Sequence, residues 1–133
     1  MDKLKIPPSL LVEDYMTPSP VTIPLNASVQ DAQAIMRNKA IRHLPVTFGQ
    51  RLVGVVTDKI INAAILCKWG EQLKIGDVML PDPYVVSRNT ALEQIIDHMV
   101  DDKLDSAIVT DHFGEVIGIF TSLDALQLLR QQK

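Results

Sequence analysis

The sequence predicts an α/β (α+β) protein built from two similar halves, each running β-α-β-β-α. Three observations predict this. First, Asp14-Tyr15-Met16-Thr17-Pro18-Ser19-Pro20 aligns with Asp77-Val78-Met79-Leu80-Pro81-Asp82-Pro83 at an offset of 63 residues, and the offset holds through Met36 and Met99. Second, Gly54-Val55-Val56-Thr57 returns as Gly118-Ile119-Phe120-Thr121, now at an offset of 64, because the second hairpin turn has one more residue. Third, each of these segments belongs to a pair of strands joined by a glycine-containing turn and runs into a closing helix. Internal repetition on this scale marks a repeated structural unit. The halves span 10–68 and 73–131, meeting near Trp69 to Leu73. A unit of about 60 residues buries little surface alone. The two are therefore expected to pack face to face, around a pseudo-twofold axis, as one globular module.

Each half opens with a polar-apolar lead-in that ends in Asp-x-Met. A proline-bounded strand follows, Val21-Thr22-Ile23 in the first half and Tyr84-Val85-Val86 in the second. The next helix is strongest in the second half. Thr90-x-x-Glu93 reads as a capping box, and Leu92, Ile95, Ile96 and Met99 form one apolar face. In the first half Val29, Ala32 and Met36 form a thinner stripe. Two strands around a glycine-containing turn come next, Leu44–Thr47 with Arg51–Thr57 and Ala107–Thr110 with Glu115–Thr121. A helix after Thr57 or Thr121 closes each half. The residues before Pro7 and after Arg130 read as loose ends.

Composition narrows the function classes. The 133 residues are 47% hydrophobic, enough for a packed core. With a net charge of −3 and no run of lysine and arginine longer than two, phosphate-led nucleic-acid binding is not expected. The single cysteine, Cys67, excludes an internal disulfide and fits a reducing, cytoplasmic compartment. No signal-peptide pattern is visible, and the longest apolar stretch, Ile60 to Leu66, is too short to span a bilayer, so no membrane partner is expected. The three histidines and Cys67 lack metal-ligand spacing, and no phosphate-loop or dinucleotide fingerprint occurs. The repeat-equivalent Met16, Met36, Met79 and Met99 read as core, and Asp101, Asp102 and Asp105 as a solvated acidic patch.

Thr121 and Asp124 admit two readings. As a helix N-cap, Thr121 accepts from first-turn N–H groups and Asp124 suits the positive end of the helix dipole. As a ligand site, the same helix end offers N–H groups to a phosphate, and the carboxylate can accept from a ribose diol. The first half has Ile60 where the second has Asp124. Ile60 either fills a core gap or leaves that half without a polar acceptor, and the two readings are compatible.

Three motifs, occurring in order and in doubled form, carry a family resemblance: Asp14-Tyr15-Met16-Thr17-Pro18, Ile41-Arg42-His43-Leu44-Pro45-Val46, and Gly-x-x-Thr-x-x-Asp at 118–124. Each half resembles a CBS domain, the motif named after cystathionine β-synthase. The resemblance implies a tandem pair whose clefts commonly bind AMP, ADP, ATP or S-adenosylmethionine, that regulates an unidentified partner protein and catalyses nothing. It also implies a homodimer formed through helical faces. In this family one half's Thr-x-x-Asp cleft is lined by the other half's lead-in and central strand. The implied nucleotide-binding residues are then Thr17, Pro20, Val21, Ile41, Arg42, His43, Thr121, Ser122, Leu123 and Asp124. Among them, Thr17, Pro20, Val21 and Ile41 would hold the adenine and Arg42 and His43 would meet phosphate. The opposite cleft would combine Ile60 and Thr57 with Asp105 and Ser106 and bind poorly. A ligand-free dimerisation or protein-interaction module is the alternative.

Overall fold

The structure, a computed structural model, describes residues 6–131. In chain order the elements are a 3-10 turn (Val12–Asp14), β1 (Thr17–Pro18), β2 (Ile23–Pro24), α1 (Val29–Lys39), β3 (His43–Phe48), β4 (Arg51–Thr57) and α2 (Asp58–Leu66). A second 3-10 turn (Gly70–Gln72) leads to α3 (Ile75–Val78), β5 (Leu80–Pro81), β6 (Val85–Ser87), α4 (Leu92–Asp101), β7 (Ser106–Thr110), β8 (Val116–Thr121) and α5 (Ser122–Gln131). Among the described residues no helix is long and apolar enough to cross a membrane.

The chain divides into two compact units, and the division does not follow the repeats. Of the described residues, one unit contains those up to Ser19 together with those from Tyr84 on, and the other runs from Pro20 to Pro83. Each unit has a four-stranded sheet, ordered β1-β8-β7-β6 in the first and β2-β3-β4-β5 in the second. β7 pairs antiparallel with β8 and parallel with β6, while β3 pairs antiparallel with β4 and parallel with β2. The remaining edge strand of each sheet comes from the lead-in of the other repeat. Thr17 and Pro18 pair with Ile119 and Gly118, and Leu80 and Pro81 pair with Val55 and Gly54.

A missing side chain explains why the lead-ins settle there. A Cβ on Gly54 would lie 2.6 Å from Met79 Sδ, and a Cβ on Gly118 would overlap Met16 Sδ. Each Asp-x-Met methionine therefore occupies the space over a glycine of the strand its own lead-in joins. Met16 packs against the core of Val12, Val86, Leu92, Ile95, Ala107, Val109 and Phe120. Met79 packs against the core of Ile23, Val29, Ala32, Leu44, Val46, Val56 and Ile61.

Three expectations shift. The first strand is Ile23–Pro24, with Val21 and Thr22 outside it, because only Ile23 and Pro24 find parallel partners in Val46 and Thr47. Thr90 and Glu93 do not form a capping box: α4 starts after Ala91 with no side-chain cap. The Thr90 hydroxyl is engaged by the preceding turn, 3.0 Å from Ser87 Oγ. In the first half, by contrast, the equivalent helix α1 has a reciprocal box, in which Ser28 Oγ accepts from Asp31 N at 3.0 Å and Asp31 Oδ2 accepts from Ser28 N at 3.3 Å. Finally, Ile6 is buried in the core of the first unit, so the loose N-terminal end excludes it. Residues 1–5 and 132–133, the rest of that expectation, lie outside the described residues.

Candidate functional site

In the first unit, β8 delivers Thr121 to the start of α5, and three hydrogen bonds close on the pair Thr121–Asp124. Asp124 Oδ2 accepts from Thr121 N at 2.9 Å and from Thr121 Oγ1 at 3.1 Å, and Thr121 Oγ1 accepts from Asp124 N at 3.4 Å. These are the bonds of the capping reading. They leave Asp124 Oδ1 unused. Leu123, second residue of α5, lies in the first turn, where an N–H has no intrahelical acceptor, whereas Ser122 N donates to the Asp105 carbonyl at 3.0 Å. Asp124 and Thr121 are half-buried, while Ser122 and Leu123 are exposed. Thr17 stands on the neighbouring strand, opposite Ile119. This unit thus assembles Thr17, Thr121, Ser122, Leu123 and Asp124 at one sheet edge and helix end. A half-buried carboxylate with a spare oxygen, an exposed hydroxyl and a free N–H can accept from a diol and donate to an anion.

The other unit builds the same scaffold without the carboxylate. Thr57 caps α2, accepting from Ile60 N at 3.3 Å, and Asp58 N donates to the Arg42 carbonyl at 3.0 Å. The side chain of Asp58 is turned onto Lys59 N, at 2.9 Å. Ile60 is half-buried and Ile61 is the core residue, so Ile60 offers the helix end neither a reciprocal cap nor an acceptor. The remaining expected residues lie in this unit. His43, half-buried, pairs with Thr57 in the ladder. Arg42 is exposed just before it, Ile41 packs on the core, and Pro20 and Val21 precede β2. Asp105 belongs to the first unit, exposed, with its carbonyl on Ser122 N.

One feature of the first unit was missed by the sequence reading. A surface hollow of about 490 Å³ is lined by Tyr84, Ala91, Glu93, Gln94, Asp97, His98 and Asp101. The Tyr84 and His98 rings lie 4.2 Å apart, and His98 Nε2 is 3.1 Å from Asp102 Oδ2. Partial burial, and then the negative charge of Asp102, push the Tyr84 hydroxyl above the ordinary tyrosine range. The i,i+4 spacing of His98 and Asp102 was the available signal.

Comparison with known proteins places the fold. The CBS domain pattern matches residues 12–66 and again 75–131. An inosine-5′-monophosphate dehydrogenase of Korarchaeum cryptofilum is 31% identical over 116 residues, which is 87% of this chain and 22% of the relative. A homoserine O-acetyltransferase of Methanocorpusculum labreanum is 29% identical over 114 residues, 85% of this chain and 23% of the relative. The chain thus spans under a quarter of these curated enzymes. Among solved structures, CBSX2 in complex with AMP superposes with a TM-score of 0.78 at 31% identity, covering 92% of this chain and 97% of that one. A CBS domain pair in complex with 5′-methylthioadenosine and S-adenosyl-L-methionine gives 0.85 at 27% identity, covering 95% and 100%.

Proposed function

We propose, from the premise that this chain belongs to the CBS domain family, that it is a regulatory module which senses an adenosine-containing ligand and catalyses nothing itself. AMP, ADP, ATP and S-adenosylmethionine are the candidate ligands, and an unidentified protein in the cytoplasm is the regulated partner. The observation that carries the proposal is Asp124. Its Oδ2 is held by Thr121, so its Oδ1 is pre-positioned to accept from a ribose hydroxyl without a reorganisation cost. The Leu123 N–H and the Ser122 hydroxyl at the same helix end favour an anionic group. Thr17, Pro20, Val21 and Ile41 are assigned to the adenine, and Arg42 and His43 to phosphate, on the family resemblance. The AMP bound by CBSX2 and the 5′-methylthioadenosine and S-adenosyl-L-methionine bound by the second neighbour support the ligand class. Ligand occupancy acts by favouring the conformation that binds it better.

A thermal-shift screen with AMP, ADP, ATP, S-adenosylmethionine and NADH tests the proposal. A ligand at a hundred times its Kd adds about 2.7 kcal/mol to stability, a rise of several degrees in Tm. No rise with any compound favours the ligand-free dimerisation module. The exposed apolar side chains of Val100 on α4 and of Leu123 and Leu126 on α5 support that second reading, and they equally support a homodimer that binds ligand.

A further inference from the structure

We infer that Met16 and Met79 form a pair of oxidation-sensitive latches that hold the lead-in strands in their sheets. The sulfur of each methionine sits over a glycine of the adjoining strand: Met16 over Gly118, with its Cγ 2.8 Å and its Cε 3.0 Å from where a Cβ would stand, and Met79 over Gly54, with its Cγ at 3.1 Å. The strands they anchor are minimal. β1 and β5 have two residues each, and one residue of each is a proline that donates no ladder bond. Beyond the ladder, β1 is secured by Ser19 N donating to the Ile117 carbonyl at 3.0 Å. Both methionines are half-buried, so a small oxidant reaches them, whereas Met36 and Met99 are 6% and 5% exposed. Met1 lies outside the described residues.

The chemistry is oxygen transfer from a peroxide. A sulfur lone pair attacks one peroxide oxygen, an S–O bond forms as the O–O bond breaks, and a proton moves to the departing oxygen. The thioether is oxidised to a sulfoxide and hydrogen peroxide is reduced to water. The sulfoxide is polar and larger, and its oxygen requires hydrogen-bond donors. The space over a glycine Cα, bounded by the apolar core, supplies neither room nor donors. The oxidised side chain therefore leaves its seat and releases the two-residue strand. Methionine sulfoxide reductases reverse the change. Thr17 travels with Met16, so release also weakens ligand binding; that consequence rests on the proposed function, while the latch itself does not.

The test is a hydrogen peroxide time course on the full chain, read by peptide mass mapping and hydrogen exchange. The expected result is that Met16 and Met79 gain oxygen before Met36 and Met99. Amide exchange at Thr17, Ser19 and Leu80 should then rise at least about tenfold, and reductase treatment should restore protection. Met16→Leu/Met79→Leu, which nearly conserves volume, should show no such rise under the same peroxide. Oxidation of Met16 and Met79 with unchanged exchange in both segments overturns the inference, as does prior oxidation of Met36 and Met99. Should the double variant fail to fold, the wild-type time course decides by itself. AMP titration of oxidised and reduced protein separates the two claims. A tenfold or greater loss on oxidation supports the coupling, whereas no binding by the reduced protein counts against the proposed function and leaves the exchange result standing.

Discussion

At the scale of single residues, the two glycines of the repeated strands matter through what they lack. Gly118 leaves room for the Met16 thioether, so a methyl group there must displace either the side chain or the strand. Gly118→Ala should destabilise the fold by about 1–3 kcal/mol, measured by denaturant unfolding. Gly49, at a turn with open space where a Cβ would stand, has φ of +63°. An alanine there meets no neighbour and costs only the backbone strain of the left-handed conformation. Tyr84 makes a second residue-level prediction. Burial and then Asp102 raise its hydroxyl pKa in the folded chain, so the folded state keeps its proton at a pH where the unfolded chain has lost it. The stabilisation from this group is complete below the unfolded tyrosine value of about 10 and is lost as pH rises through the folded value. Alkaline titration of tyrosine absorbance, wild type against Tyr84→Phe, should lose a late-titrating phenol.

At the scale of elements, the sequence revealed much because its signals are local. The helical stripe of Leu92, Ile95 and Met99 became the buried face of α4, and Val29, Ala32 and Met36 that of α1. The hairpins appeared where two short apolar runs flank a glycine-containing turn. Helix starts were harder, because a hydroxyl can be claimed from either side. Thr90 has the right spacing for a box with Glu93, yet the turn through Ser87 and Asn89 takes its hydroxyl. Ser28 has no such competitor and caps α1 with Asp31. Ser28→Ala should therefore cost about 1 kcal/mol, whereas Thr90→Ala should stay within about 0.5 kcal/mol. Thermal melts of the two variants side by side give the comparison, and equal losses would restore the box to Thr90.

At the scale of the whole molecule, the exchange of lead-in strands needed the structure. A two-residue strand carries no periodicity of its own, and its partner lies about a hundred residues further along for β1. The repeats are visible in sequence as matched motifs, but each compact unit takes an edge strand from the other repeat's lead-in. The candidate site was legible in the Gly-x-x-Thr-x-x-Asp motif, and so was its difference from the first repeat at Ile60. What the motif does not reveal is that the same carboxylate both caps its helix and keeps an oxygen to spare. For oligomeric state, the exposed Val100, Leu123 and Leu126 are the apolar surface a homodimer would cover. Sedimentation at micromolar concentration should give about twice the chain mass of 14.8 kDa, and a monomer across a wide concentration range would contradict the dimer.

The central claim, that Asp124 receives the ribose of an adenosine ligand, is tested most directly by calorimetry. AMP and 2′-deoxy-AMP are titrated into wild type and into Asp124→Ala, after thermal melting has shown both folded. Wild type should bind one AMP per chain, because Ile60 leaves the other repeat without an acceptor. Loss of a charged acceptor should cost about 1.5–3 kcal/mol, roughly 10- to 150-fold in affinity, and the handicap of the deoxy ligand should shrink in the variant. Equal AMP affinity of a folded Asp124→Ala and wild type would contradict the claim and reduce Asp124 to a helix cap.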